Sequence, residues 1–436
     1  MDLMKQRCHC TYRAVFFSQH LRTAGPWIHR VRATFSHKGG VLIRPLSTYA
    51  RLRVIRPCLF ESTRYATFPA LNPEETFKRR SLRLPEFISE KLRKLQYEVV
   101  QSLLDQSSLE TTADSCDTPS SSKFTQNLQK MAKYYFDQGG KLFRPTVSLL
   151  MAHACNQIKP KTPVVESGRE TVTANQYKIA VISEMIHTAS LVHDDVIDES
   201  DVRRGSPTVN AIWGNKMVDI FAVLVGDFIL ARATQVLCSI ARPNVISVMA
   251  TIIEDLVRGE FMQMTTGSET DATLRFDKYM AKTYSKTASL FANSCKSAAM
   301  LADIPEANEE IAFEYGRSLG LAFQLVDDLL DFVSTSAAMG KPTANDLKLG
   351  LATAPVLFAA QEHPELNRLI SRRFSKDGDV NVAWEMVANS SGVEMTRNMA
   401  RGHAYRAAKM ASKFPNGDSV RDHLVELALC QLDRDR

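Results

Sequence analysis

The sequence predicts an all-α protein, on three observations. All of its strong apolar periodicity is helical, and no run alternates as a half-buried strand would. Two acidic clusters, Asp194-Asp195-Val196-Ile197-Asp198 and Asp327-Asp328-Leu329-Leu330-Asp331, each sit inside an apolar helical run. A length of 436 residues allows two or three domains, but no linker divides the later part. The simplest organisation is a leader and linker over residues 1–75, then one helical domain over 76–436.

The leader is marked by its charge. The chain carries a net +6, yet residues 1–60 hold eleven Lys and Arg against the single acid Asp2, which leaves the rest mildly acidic. A mildly acidic body argues against general nucleic-acid binding. The leader is Arg-rich, nearly free of acids, supplied with Ser and Thr and dotted with Phe16, Phe17, Trp27 and Ile28, as a mitochondrial presequence is. The alternative is a disordered basic arm that binds RNA or a membrane surface. The eight cysteines are scattered without zinc-site spacing, which suits a reducing compartment. The longest apolar stretch, Ile220 to Ala233, contains Asp227 and Arg232 and is too short to span a bilayer.

In chain order, the spacing of Phe87, Ile88, Leu92, Leu95, Val99 and Leu103 predicts a helix over residues 86–104. Polar segments at about 105–123 and 159–175 read as insertions. Between them, residues 127–156 read as a helix, a break at Gly139-Gly140, and a second helix entered through Pro145. Ile220–Ala233 and Val245–Leu256 are apolar helices that either wall a tunnel or form a subunit interface. The helix carrying the second cluster should stop near Gly340 and Pro342, and residues 382–432 read as further helices.

The acidic clusters carry the chemistry. Asp194 and Asp198 lie a turn apart on one helix face with Asp195 beside them, and three carboxylates there repel unless a cation compensates. Mg²⁺ held by a few carboxylates and by substrate phosphates fits this spacing. A lone cluster of this kind is usually a solvated acidic face. Here Leu191, Val192, Val196 and Ile197 flank the first, and Leu325, Val326, Leu329, Leu330 and Phe332 the second, so both belong to buried helices whose acids need partners.

Cations balance the acids. Gly139-Gly140-Lys141-Leu142-Phe143-Arg144-Pro145 places Lys141 and Arg144 at a helix start, an anion site to which the helix dipole adds. His187 stands two turns before Asp194, and Arg203-Arg204 follow Asp198. Lys286 has Thr287 beside it, Gln324 stands three residues before Asp327 on the same face, and Lys341 and Lys348 follow the second cluster.

In order and with the expected spacings, these motifs resemble the trans-prenyltransferases, the isoprenyl diphosphate synthases, from about residue 86 to the C-terminus. The stretch HTASLVHDDVID, the Lys286-Thr287 pair and FQLVDDLLDF look most like the mitochondrial long-chain polyprenyl diphosphate synthases that make the ubiquinone side chain. The resemblance implies an all-α bundle of antiparallel helices around a deep central cavity. It implies Mg²⁺, about three ions, held by Asp194, Asp195, Asp198, Asp327, Asp328 and Asp331. Arg203, Lys286, Thr287, Gln324 and Lys341 would bind the allylic diphosphate; Lys141, Arg144, His187 and Arg204 would bind that of isopentenyl diphosphate. Many relatives place a lysine after the glycine of the last motif, whereas Leu351 follows Gly350 here, and Lys348 is the alternative source of that charge.

The implied reaction ionises an allylic diphosphate and joins the resulting cation to the double bond of isopentenyl diphosphate, with no protein nucleophile. Ala189 and Ser190, five and four residues before Asp194, would form a small tunnel floor that admits a product of about thirty to fifty carbons; close helix packing is the other use of such residues. The implied partners are the two diphosphates and a second subunit, as homodimer or with a related chain, with peripheral contact to the inner mitochondrial membrane and no nucleic acid. The alternatives are a short-chain farnesyl or geranylgeranyl synthase, a terpene cyclase, and a non-catalytic partner subunit. A cyclase usually replaces the second aspartate cluster by an Asn/Ser/Glu motif, and a non-catalytic subunit should have lost acids; all six aspartates are present.

Overall fold

The computed structural model describes residues 84–104, 128–136, 140–158, 171–198, 202–203, 206–207, 218–265, 269, 271–333, 344–415 and 419–434. The leader at 1–75, the first insertion at 105–123 and residues 159–170 of the second lie outside them.

Apolar spacings of three and four residues become helices throughout. Glu86–Leu104 is α1, residues 128–136 are α2, Phe143–Asn156 is α3 and Ala174–Ile197 is α4. Val218–Cys238 is α5 and Pro243–Thr265 is α6. Ala272–Thr283 (α7) runs through a π turn, Tyr284–Ala288, into Ser289–Met300 (α8). Glu306–Val333 is α9 and Asn345–Lys348 the single turn α10. Ala354–Glu362, Leu366–Ser371, Asp379–Ala388, Gly392–Ala411 and Val420–Leu429 are α11 to α15, and a 3₁₀ turn, Cys430–Asp433, follows. The strand content described is one antiparallel pair of two-residue strands, Val202–Arg203 against Ser206–Pro207. The all-α expectation therefore holds.

Two boundaries differ from the sequence reading. Helix α3 starts two residues before Pro145, because the first turn of a helix leaves its N–H groups without intrahelical acceptors and a missing one costs nothing there. Helix α4 starts at Ala174, inside the segment assigned to the second insertion. Thr173 caps it, accepting from the Gln176 amide, while Gln176 reaches back to the Thr173 amide at 2.9 Å. Helix α9 is described as far as Val333, and the stop expected near Gly340 and Pro342 lies outside the described residues; the Asp331 carbonyl ties this end to α10 by accepting from the Ala344 amide at 3.2 Å.

Two apolar clusters make up the core. One gathers α1 to α6, α8, the first half of α9, the end of α14 and α15; the other gathers α7, the second half of α9, α10 to α13 and Ala400 of α14. Helix α9 runs through both and packs along α8 and α14. Its approach to the π turn needs Gly320, where an added Cβ would come within 2.6 Å of the Ala288 Cα. No described helix is long and apolar enough to cross a membrane.

Candidate active site

A cavity of about 970 Å³ opens between α3, α4, the π turn and α9. Helix α4 presents His187, Ser190, Leu191, Asp194 and Asp198 to it, steps of three and four that keep one face toward the cavity. Asp198 is the C-cap of that helix, its amide bonded to the Asp194 carbonyl at 2.8 Å. Asp195 points away from the cavity. It is fully buried and accepts a hydrogen bond from the Tyr135 hydroxyl at 3.2 Å.

Helix α9 presents Phe323, Gln324, Asp327 and Asp328 to the same cavity. Here the middle aspartate is linked to the neighbouring elements. Asp328 accepts from the Tyr279 hydroxyl at 2.5 Å and from the Gln324 amide at 2.9 Å, while Gln324 accepts from the Thr287 hydroxyl at 2.8 Å. Burial pushes the Asp328 carboxyl up, and those two hydrogen bonds oppose it. Asp331 does not line the cavity: its two oxygens accept from the amides of Asn345 at 3.1 Å and Asp346 at 2.9 Å, holding α10 in place. Asp195 and Asp331 thus differ from the other four aspartates in facing elsewhere.

Three stretches of the chain bring these cations. Leu142, in the left-handed region at φ 45°, turns the chain between Lys141 and α3, and Lys141 and Arg144 both line the cavity. The Arg144 guanidinium lies 5.1 Å from the Phe291 ring and 5.7 Å from the Phe323 ring. The π turn carries Lys286, whose ammonium reaches Glu260 at 2.6 Å, Gln263 at 3.2 Å and Asp194 at 3.8 Å. Gly259 leaves room for it, since an added Cβ would meet the Lys286 Cγ at 2.6 Å. From the far end of the chain, Arg434 pairs with Asp327 at 2.8 Å and lies 4.3 Å over the Phe323 ring. Burial pushes the Asp327 carboxyl up to about 6, and Arg434 pulls against that rise.

Of the remaining sequence candidates, Arg204 and Lys341 lie outside the described residues, as does Gly139, and only the backbone of Arg203 is described. Lys348 is exposed and is not part of the cavity wall. Ser190 lines the cavity, whereas Ala189 is fully buried in the apolar core. Sequence reasoning missed Arg434, Lys282, Gln263 and Asp346, all cavity-lining. The cations at the very end of the chain and the lysine one turn before Lys286 were readable signals. Asp346 is held up to about 8, chiefly by burial and then by Asp328 and Asp331, and nothing in its local sequence announces that.

Among the described residues no three acid, His or Cys side chains already converge into a metal cage. The donors nonetheless fit Mg²⁺, which takes oxygen ligands and is usually held by one or two carboxylates with substrate phosphates supplying the rest. Asp194, Asp198, Asp327 and Asp328 are the cluster carboxylates that face the cavity for that purpose.

A helical bundle whose cavity is lined both by carboxylates and cations and by Leu191, Leu256, Leu290 and Phe323 defines a class of protein suited to a ligand with a diphosphate head and a hydrocarbon tail. The chain belongs to the polyprenyl synthetase family, whose sequence model matches residues 125–387, and it is a prenyltransferase. An all-trans-polyprenyl-diphosphate synthase of Homo sapiens is 49% identical over 312 residues, 72% of this chain and 72% of that protein. A mitochondrial solanesyl-diphosphate synthase of Oryza sativa subsp. japonica is 46% identical over 298 residues, 67% of each chain. The crystal structure of a polyprenyl synthase from Caulobacter crescentus CB15, complexed with calcium and isoprenyl diphosphate, matches with a TM-score of 0.65 at 28% identity, covering 82% of this chain and 100% of that one.

Proposed function

We propose that the protein is a mitochondrial all-trans long-chain polyprenyl diphosphate synthase that adds isopentenyl units in sequence to an allylic diphosphate and makes the ubiquinone side chain. The observation that carries this reading is the single cavity in which both aspartate clusters meet two separate sets of cations. Two sets suit two diphosphates. Lys286, Thr287 and Gln324, with Arg203 and Lys341, hold the allylic diphosphate, while Lys141, Arg144, His187 and Arg204 hold that of isopentenyl diphosphate.

Mg²⁺, about three ions, would be held chiefly by the cavity-facing Asp194, Asp198, Asp327 and Asp328 and would supply Lewis-acid stabilisation of the departing pyrophosphate. The chain's own groups do the rest. Lys286 sits at 3.8 Å from Asp194, where it meets charge growing on the leaving oxygen. The isopentenyl-side cations set the double bond against the allylic carbon, which holds the reactants in place of a chance encounter. The allylic C–O bond breaks, a C–C bond forms between the two substrates, and the proton lost from the isopentenyl unit passes to the released pyrophosphate. The apolar lining residues disfavour water beside the allylic cation, and the small side chain of Ser190 in the wall, with Ala189 next to it in sequence, supports passage of a tail of about thirty to fifty carbons.

The exposed stripe of Val257, Phe261 and Met264 along α6 supports assembly as a dimer, and so apolar a product supports delivery at the inner membrane from the matrix side. The test is extension by the full chain with farnesyl diphosphate, labelled isopentenyl diphosphate and Mg²⁺, with the products sized. A ladder ending at about thirty carbons or more is expected. Products that stop at fifteen or twenty carbons would make it a short-chain synthase, and a cyclic hydrocarbon formed from a single prenyl diphosphate would make it a cyclase.

A further inference from the structure

We infer that Lys282 is a further binding residue for the allylic diphosphate, set one helical turn before Lys286 and facing the second aspartate cluster. The inference rests on the synthase reading and extends its cation set.

Lys282 belongs to the last turn of α7, directly before the π turn, and it lines the cavity together with Lys286. The two lysines differ in how they are held. Lys286 is tied by Glu260 at 2.6 Å and by Gln263 at 3.2 Å. The Lys282 ammonium lies 5.5 Å from the Tyr279 ring centroid and, among the described residues, makes no ion pair. Two ammonium groups four residues apart repel each other, and a charge in a walled cavity without a direct partner is costly. An anion with several oxygens, placed between the pair, removes both costs.

The surroundings decide which anion. Burial lowers the hold of Lys282 on its proton, Asp328 opposes that, Lys286 adds to it, and Asp346 and Glu260 attract the charge more weakly. Lys282 lines the cavity with Lys286, Thr287 and Asp328, and the Tyr279 ring it lies over donates its hydroxyl to Asp328 at 2.5 Å, which sets it on the allylic side. It is on a different element from Lys141 and Arg144, which are carried by the turn into α3. A role confined to neutralising Asp328 and Asp346 would be structural and would not tell the two substrates apart.

The experiment compares the wild-type full chain with Lys282→Met and Lys282→Arg. KM is measured separately for farnesyl diphosphate and isopentenyl diphosphate, melting temperature is followed in parallel, and binding of Mg²⁺-pyrophosphate is titrated by calorimetry. The expected result for Lys282→Met is a rise of about tenfold or more in KM for farnesyl diphosphate, with KM for isopentenyl diphosphate changed less than about twofold, and Lys282→Arg recovering most of the loss. Equal effects on both substrates, or a fall in melting temperature with no change in either KM, overturn the inference. If the wild type extends no primer, the synthase reading fails instead, and the calorimetry still judges Lys282. Pyrophosphate binding about tenfold weaker in Lys282→Met supports it, and unchanged binding overturns it.

Discussion

The first aspartate cluster closes its helix, with Asp198 as the C-cap of α4, whereas the second lies inside the end of α9, with Asp331 two residues before its last residue. That shift redistributes the same three side chains. In the first cluster the outer pair, Asp194 and Asp198, faces the cavity and Asp195 is turned into the core. In the second the adjacent pair, Asp327 and Asp328, faces the cavity and Asp331 anchors α10 by two backbone amides. Each cluster gives two acids to the site and one to the scaffold, but the acid that is withheld differs. A repeated motif therefore does not imply repeated geometry.

The largest effects should come from the acids that both clusters share as cavity-facing. Asp194→Asn and Asp327→Asn are each expected to lower kcat on the order of 10³-fold with little loss of folding, measured by single-turnover extension at saturating Mg²⁺. The comparison sharpens at the third position. Asp198→Asn should approach that loss, whereas Asp331→Asn should keep kcat within about tenfold and lower the melting temperature instead. An amide can accept from only one of the two backbone donors at Asn345 and Asp346, and the lost bond is worth about 1–2 kcal/mol. Equal kcat losses at 198 and 331 would show that the two clusters present their third acids alike.

A smaller effect separates the clusters by pH. In chelator-treated protein Asp327 holds its proton up to about 6, above the ordinary carboxyl value of 3.8. The folded state thus binds that proton more tightly than the unfolded chain, and its contribution is complete below 3.8 and is lost as pH rises through 6. The side chain is 34% exposed, so solvent screening leaves roughly 1–2 kcal/mol of this dependence. Melting temperature measured between pH 4 and pH 7 should fall less steeply with rising pH in Asp327→Asn than in the wild type. Arg434→Gln should move the midpoint upward, because it removes a cation that favours the ionised acid.

Much of this was legible in the sequence, for reasons that differ by residue. Helical periodicity places α1 and α9, and the pairing of acidic clusters with Gly140-Lys141 and Lys286-Thr287 gathers one site, because residue type and spacing carry that information. The direction in which each acid points is not local. Asp195 is turned inward by Tyr135, sixty positions away in sequence, and Asp328 is held by Tyr279, forty-nine away. Arg434 reaches Asp327 only because α15 folds back against α3 and the 3₁₀ turn packs on α9. The capping box at Thr173 and Gln176, by contrast, is a local signal that the polar composition of the segment before it obscured.

The finest test lies at the two tyrosines. Tyr135 and Tyr279 each donate a hydroxyl to the middle aspartate of a cluster, at 3.2 Å and 2.5 Å, so removing either hydroxyl takes a hydrogen bond from a buried carboxyl. Both Tyr135→Phe and Tyr279→Phe should therefore cost about 1–3 kcal/mol of stability by denaturant titration. Activity should part them. Asp195 is fully buried and faces Tyr135, so Tyr135→Phe leaves the cavity acids in place and kcat within about threefold of wild type. Asp328 lines the cavity and is linked through Gln324 to Thr287, so loss of the Tyr279 hydroxyl frees a carboxyl in the site and loosens the hydroxyl beside Lys286. Tyr279→Phe should lower kcat by about tenfold or more, because preorganised groups act only when held. If the two variants lose activity equally, the middle aspartates do equivalent work in the two clusters, and the asymmetry read from their orientation has no chemical consequence.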